Sequence, residues 1–516
     1  MNINKKTKEI IFGILFLGIL VLVGLNASLY SLRIDATENR MFSIHPVSQN
    51  LFKDIPQQVR ITYYLTEKLK TTDPVYGEIE DIVREYAAHA NGKIAVNIVD
   101  PTRDNKLQEA QEFGIEQFDA GRQAAADEAN IFLAYSGIVI EYLDRHKVIT
   151  RIGSVDTLEY ELSSKIRALV SNRTKKIGYL VDDQSFNMQE FANVVQYLQR
   201  EYDVQEIKRG EDIPATLDAV FVIGGLSLTD FDLYPIDQYL MRGGRVLFAT
   251  GAVRVNMQYN MAIPADKSPL LDMLKNYGAV IQPHLIMEQP QLALPTQAGR
   301  YNYFFITVQD FVSRDNPITA HFQPAYFFWA SPLEYSITPA VKAETLVATS
   351  PRAVAVKQDF RLSPQEASLM YRVYAGEGSK SLPVVGALSG NFTSYFKGKE
   401  IPTQEGAARD WTRTEDLSSP TRIIVAGDAN FLAPGYLTAA NFAFFVNCLA
   451  WLANDDDLLA IRTRAQRDPS MVKIEDPAAR QTATTIIKLV NWVGLPLIVI
   501  AFGVFNFIRR RKKRTA

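Results

Sequence analysis

The stretch AVFVIGG, Ala219 to Gly225, is apolar without a break and too short for an ordinary helix. Such a run fits a strand buried on both faces, and strands of that kind sit in parallel sheets with helices on each side. Its neighbours repeat the theme. KKIGYLVDD predicts a strand over Ile177–Val181, a helix follows over Met188–Tyr202, and DVQEIKR predicts a short strand. After AVFVIGG, the segment DFDLYPIDQYLMRGGRVLFATGAV supplies a helix, a Gly243-Gly244 stop and another apolar strand, and SPLLDMLKNYG supplies a further helix. Strands alternating with helices at this spacing predict a mostly parallel sheet covered on both faces. From about 290 to 399 short β-like runs such as FFWA, TLVATS and LPVVGAL replace the pattern, a β-rich insertion. The alternation then resumes in TRIIVAGDANFL and the helix NFAFFVNCLAWLAND.

A smaller α/β unit precedes it. Ser43 is placed to cap a short helix carrying Val47 and Leu51, and Val59 to Leu65 has strand composition. Ile79, Ile82, Val83 and Tyr86 recur at helical spacing, and KIAVNIVDP alternates like a strand. The segment from about 105 to 130 reads as an inserted helix or loop. GIVIEYLDRHKVITRI then predicts two strands about Asp144-Arg145, followed by a helix from Val155 to about Val170. Strand, helix, strand, hairpin, helix is the thioredoxin-like order, without its redox motif because the chain has one cysteine, Cys448.

Both ends of the chain are apolar with basic flanks. Ile10 to Leu25 follows Lys5, Lys6 and Lys8, and Ile486 to Ile508 precedes Arg509, Arg510, Arg511, Lys512, Lys513 and Arg514. The first run suits either a cleaved signal peptide or a retained anchor, the anchor being the preferred reading, and the second suits a membrane span; positive residues on the outer edge of both place both termini in the cytoplasm. The expected organisation is a cytoplasmic 1–9, a transmembrane helix over 10–30, an extracytoplasmic thioredoxin-like domain over 31–172 and a larger α/β domain over 173–454. A tether over 455–485, a second transmembrane helix over 486–508 and a basic tail over 509–516 follow. Removing the basic ends leaves a body of charge about −10 from a net charge of −2. An acidic body excludes nucleic acid as a partner, since that binding is driven by neutralising phosphates. Membrane lipid is the partner expected at the ends, in the inner membrane.

Candidate chemistry in the body is sparse. Gly224 and Gly225 end a strand where ligands of open α/β sheets bind, yet the chain has neither a G-x-G-x-x-G nor a Walker A motif, and a tight turn is the stronger reading. Asp428 and Asn430, in GDAN, also follow a strand, where Asp428 is placed to bind a ligand or to cap the next helix. Asp182 and Asp183 offer paired carboxylates for acid–base catalysis, although adjacent residues in a loop usually diverge into solvent. The five histidines, His45, His89, His146, His284 and His321, lack metal-ligand spacing, and no nucleophile elbow is present. No catalytic residue, metal ligand or cofactor site is assigned.

Several stretches share one resemblance. RIDATENRMFSIHP after the first apolar run, VRITYYL with IVREYAAHANGKIAVNIVDP, FVIGG with DQYLMRGGRVLF, and VAGDANFL with NFAFFVNCLAWL together resemble GldG-like proteins, the auxiliary membrane components of gliding-motility-type ABC transporters. The resemblance covers nearly the whole chain. It implies a glutamine-amidotransferase-like topology for the larger domain and a non-enzymatic role beside a separate ABC permease and cytoplasmic ATPase, with a solute or an envelope component as a further partner. The amidotransferase cysteine has no counterpart after a strand here, so that activity is not carried over, and gliding itself need not transfer. Two other functions share the expected two-span topology: a surface-polysaccharide chain-length regulator, which would need long helical extensions that the sequence lacks, and a membrane-tethered hydrolase using Asp428 or the Asp182/Asp183 pair.

Overall fold

The computed structural model describes residues 43–461, apart from short stretches of which 124–128, 183–187 and 404–410 are the longest. The smaller unit is built on β1 (Val59–Leu65), β2 (Ile94–Val99), β3 (Gln117–Gln123), β4 (Ala129–Tyr142) and β5 (Arg145–Ile149). The sheet order is β2-β1-β4, and both β3 and β5 pair with the long β4. β1 and β2 run parallel, joined by the helix Val75–His89, whose Ile79, Ile82, Val83 and Tyr86 are buried. β4 runs antiparallel to β1 and turns into β5 through Leu143, which takes a left-handed φ of 57°. The first helix, Pro46–Lys53, is capped by His45 and not by Ser43: the His45 ring accepts from the Val47 N–H at 3.2 Å. The segment expected as an inserted helix or loop holds a helix, Leu107–Glu112, and then a strand that the sequence pattern does not announce, β3, paired with β4.

The larger unit is built around one eight-stranded sheet. Its order is Phe311–Val312, Val341–Ala348, Pro383–Gly390, Thr421–Ala426, then β9 (Val246–Ala249), β8 (Ala219–Gly224), β6 (Lys176–Asp182) and β7 (Asp203–Glu206). Every pair from Thr421–Ala426 to β7 is parallel. The three strands at the other edge are antiparallel. Residue alternation explains why β8 carries no polar residue. Ala219, Phe221 and Ile223 pack with Phe191 and Phe445 from the helices Met188–Leu198 and Ala439–Leu452 on one face. Val220 and Val222 pack on the opposite face with Leu233, Tyr239 and Leu270, from the helices Asp230–Met241 and Pro269–Asn276. Burying such side chains stabilises the fold by roughly 1.5–3 kcal/mol each. Cys448 belongs to the first of these cores and is 1% exposed, where burial pushes its thiol up.

The region expected as a β-rich insertion is less separate than its sequence suggests. Three of its strands, Phe311–Val312, Val341–Ala348 and Pro383–Gly390, are members of the main sheet, and a helix, Pro364–Glu377, lies between the last two in the chain. LPVVGAL is apolar because Val384, Val385, Ala387 and Leu388 are buried against both helical layers. Leu458 and Ile461, assigned by sequence to the tether, pack against Tyr160 of the smaller unit.

The expected fold class needs one correction. The described residues form a mixed α/β chain with several sheets, and no helix among them is long and apolar enough to cross a membrane. The longest, Val75–His89, has 15 residues and one buried face, whereas a span needs about 20 predominantly apolar residues. A fold flanked by two transmembrane helices is therefore not what the described chain shows. The two runs expected to span, 10–30 and 486–508, lie outside the described residues, as do Lys5, Lys6, Lys8 and the basic residues 509–514.

Candidate functional site

Four neighbouring parallel strands end at one edge of the main sheet, and the chain leaves each through a residue of distinct chemistry: Asp182 at the end of β6, Gly224 at the end of β8, Thr250 after β9, and Asp428 after Thr421–Ala426. From β6 the chain goes first to one side, to β7, and later to the other, to β8. That reversal opens a crevice where open α/β sheets bind ligands. All four residues line a cleft of about 910 Å3. Sequence reasoning had singled out Gly224, Asp428, Asn430 and Asp182, and the structure brings these together. Gly225 stands behind the wall, and Asp183 lies outside the described residues.

The glycine pair makes a left-handed turn, with φ of 76° at Gly224 and 88° at Gly225. A Cβ on Gly225 would stand 2.7 Å from Leu270 Cδ2, so the position needs glycine for both backbone and space. The turn holds the chain by its backbone, the Gly225 N–H donating to the Asp182 carbonyl at 3.0 Å.

At one side of the cleft Asp182 accepts from Ser227 Oγ at 2.7 Å and from Arg209 Nη1 at 3.2 Å. Arg209 also donates through Nη2 to Asp232 Oδ2 at 2.9 Å. Asp232 closes a capping box with Thr229 at the start of the helix Asp230–Met241. Burial raises the Asp232 carboxyl, but the bonds from Arg209 and Thr229 outweigh it and leave it below the usual carboxylate range. Arg209 thus joins the cleft wall to a helix cap.

At the other side Asp428 is 1% exposed. Its Oδ2 accepts from the Phe328 N–H at 2.8 Å, and its Oδ1 from the Asn430 N–H at 2.6 Å and from Asn430 Nδ2 at 3.2 Å. Burial pushes its carboxyl up to about 7, against the pull of these donors. Asn430 Nδ2 reaches on to the Phe328 carbonyl at 3.2 Å, so the pair ties the loop after Thr421–Ala426 to the strand Ala325–Phe328. Gly427 is fixed by the same crossing. It donates to Val384 O and accepts from Ser331 N at 2.7 Å, and a Cβ there would collide with the Ser331 carbonyl.

Sequence reasoning missed Arg209, Trp329 and Tyr436. Trp329 takes a left-handed φ of 56°, rare for a bulky residue, and donates its indole N–H to Tyr303 at 3.1 Å. Tyr436 packs across Phe328 and Trp329, with centroids 4.5 and 5.5 Å away, and is 38% exposed. No local signal marks these residues, because each reaches the cleft from a different loop. The lining includes neither cysteine nor histidine, and among the described residues no group of three or more His, Cys, Asp or Glu is placed to hold a metal.

Residues 174–459 match the family model described as ABC-type uncharacterized transport system, an auxiliary family. The chain belongs to that family. The match spans the main sheet and the cleft, and residues 38–141, covering most of the smaller unit, match a domain of unknown function. The chain is therefore an accessory, transport-related protein associated with an ABC transport system. It aligns end to end with an uncharacterized protein of Borreliella burgdorferi, 23% identical over 99% of each chain. Among solved structures it is similar to a putative ThuA-like protein from Parabacteroides merdae, 12% identical over 55% of this chain and 91% of that one, with a TM-score of 0.24. It is also similar to a β-galactosidase from the haloarchaeon Halorubrum lacusprofundi, 12% identical over 77% of this chain and 58% of that one, with a TM-score of 0.20.

Proposed function

We propose that this protein is a non-enzymatic, GldG-like accessory subunit of an ABC transporter, working at the cytoplasmic membrane beside a separate permease and ATPase with its α/β body on the extracytoplasmic side. The observation that carries this reading is the family match over 174–459. The cleft is consistent with it. Its two strand-end carboxylates are both engaged in holding loops, and among the described residues its lining has no cysteine or histidine. A cleft built that way suits binding, of a solute or of an envelope component, better than bond cleavage.

The deciding experiment is isolation of the tagged full-length chain in a mild detergent, with bound proteins identified by mass spectrometry. A multi-span permease together with a Walker-type ATPase is the expected result. Recovery of the chain alone, under conditions that keep a known ABC complex intact, would remove this proposal. Protease treatment of intact spheroplasts tests the location: cleavage of the body from outside is expected, and complete protection would contradict it.

A further inference from the structure

A second cleft, of about 290 Å3, lies away from the strand-end site, where the smaller unit meets the larger. It is lined by Lys147 of β5, by Lys165 and Arg167 of the helix Leu158–Ser171, by Arg173 and Lys175 of the connecting segment, and by Arg200 just beyond the helix Met188–Leu198. Six cations thus converge from four parts of the chain, within a body whose overall charge is negative. One carboxylate, Glu201, shares the lining, and it accepts from the Tyr160 hydroxyl at 3.0 Å. Asp218 takes up part of the charge from outside, pairing with Arg173 at 2.8 Å and with Lys175 at 3.5 Å. Among the described residues neither Lys147, Lys165 nor Arg200 forms an ion pair; Arg200 instead lies over the Tyr197 ring at 4.7 Å. Like charges brought to one concave site repel, and low-dielectric walls strengthen that repulsion. An anion in the cleft reverses the sign of the interaction. Arginine and lysine together suit phosphate oxygens, the first through paired N–H groups and the second as a point charge.

We propose that this inter-domain cleft binds a compact phosphate-bearing anion, which links the smaller unit to the larger by contacting cations of both. The proposal concerns a different site from the strand-end cleft and does not depend on the transporter reading. Soluble polyphosphates and phospholipid headgroups share this chemistry, and the test separates them.

Titrating sodium pyrophosphate into the full-length chain in a neutral detergent at low salt, followed by calorimetry, is expected to show one saturable site that weakens as salt rises. Neutralising two cations from different units, Lys165→Gln with Arg200→Gln, should weaken binding at least tenfold, whereas Lys342→Gln, on the exposed side of the strand Val341–Ala348, should leave it unchanged. The double variant removes no described ion pair, so its folding is expected to be intact by circular dichroism; Lys147→Gln alone serves if it is not. Competition with dihexanoyl phosphatidylglycerol, but not with dihexanoyl phosphatidylcholine, would assign the site to an anionic lipid headgroup. No competition by either, with pyrophosphate binding retained, would assign it to a soluble phosphate. Absence of saturable pyrophosphate binding up to millimolar concentration overturns the proposal, and so does binding that the cation variants leave unchanged.

Discussion

Asp182 and Asp428 end strands of the same parallel set, yet the two sides of the cleft they define are built differently. Asp428 is sealed, 1% exposed, with backbone N–H groups of two separate segments as its donors. Asp182 is 14% exposed in its side chain and is held by Arg209, itself 45% exposed. A carboxylate that satisfies buried backbone groups is structural, because removing it strands donors that water cannot reach. A carboxylate held by a solvent-reaching arginine can exchange that partner for a ligand at little cost to the fold. The expectation is a cleft with one fixed wall and one adaptable wall.

The largest effect should come from breaking the fixed wall. Asp428→Ala strands the Phe328 and Asn430 N–H groups and should cost about 3 kcal/mol in urea unfolding at pH 5. Its pH dependence sharpens the contrast. The Asp428 carboxyl is raised by burial to about 7, so its stabilising contribution is fully present below about pH 4 and is lost as pH rises through 7. The margin between the parent chain and Asp428→Ala should therefore shrink toward pH 8, by on the order of 1 kcal/mol or more. A margin that grows with pH would mean that the donors outweigh burial and hold the carboxyl below its ordinary value. Next comes the turn between the walls. Gly224→Ala forces a side chain onto a φ of 76° and should cost roughly 1–2 kcal/mol. The smallest effect belongs to the adaptable wall: Asp182→Asn should change unfolding stability by less than about 1 kcal/mol. A loss as large as that of Asp428→Ala would erase the distinction between the two walls.

Legibility followed the same division. AVFVIGG and TRIIVAGDANFL announced buried strands because a strand covered on both faces cannot carry polar residues at any position, and the residues just past them, Gly224, Asp428 and Asn430, line the cleft. The antiparallel half was harder to read. Val341–Ala348 carries Lys342 and Glu344 on its exposed side and looks like an isolated strand, although it pairs with Pro383–Gly390 along nearly its whole length. Arg209 gave no signal because its partners, Asp182 and Asp232, lie 27 and 23 positions away in opposite directions. Ser43 was a sound cap by type, but His45 holds the position because its ring reaches Val47 while its N–H donates to Glu159 at 2.6 Å.

Sequence by itself determined the alternation of strands and helices, the parallel core and the strand ends at which a ligand site would form, since all of these follow from which residues must be hidden from water over a few consecutive positions. Tertiary structure decided which loops meet there. It placed the Trp329 and Tyr436 rings against the sealed wall, gave Arg209 its two carboxylates, and gathered cations from both units into one cleft. Periodicity reports burial along a segment. Convergence of residues from distant segments depends on how whole sheets and helices pack, and no local pattern encodes it.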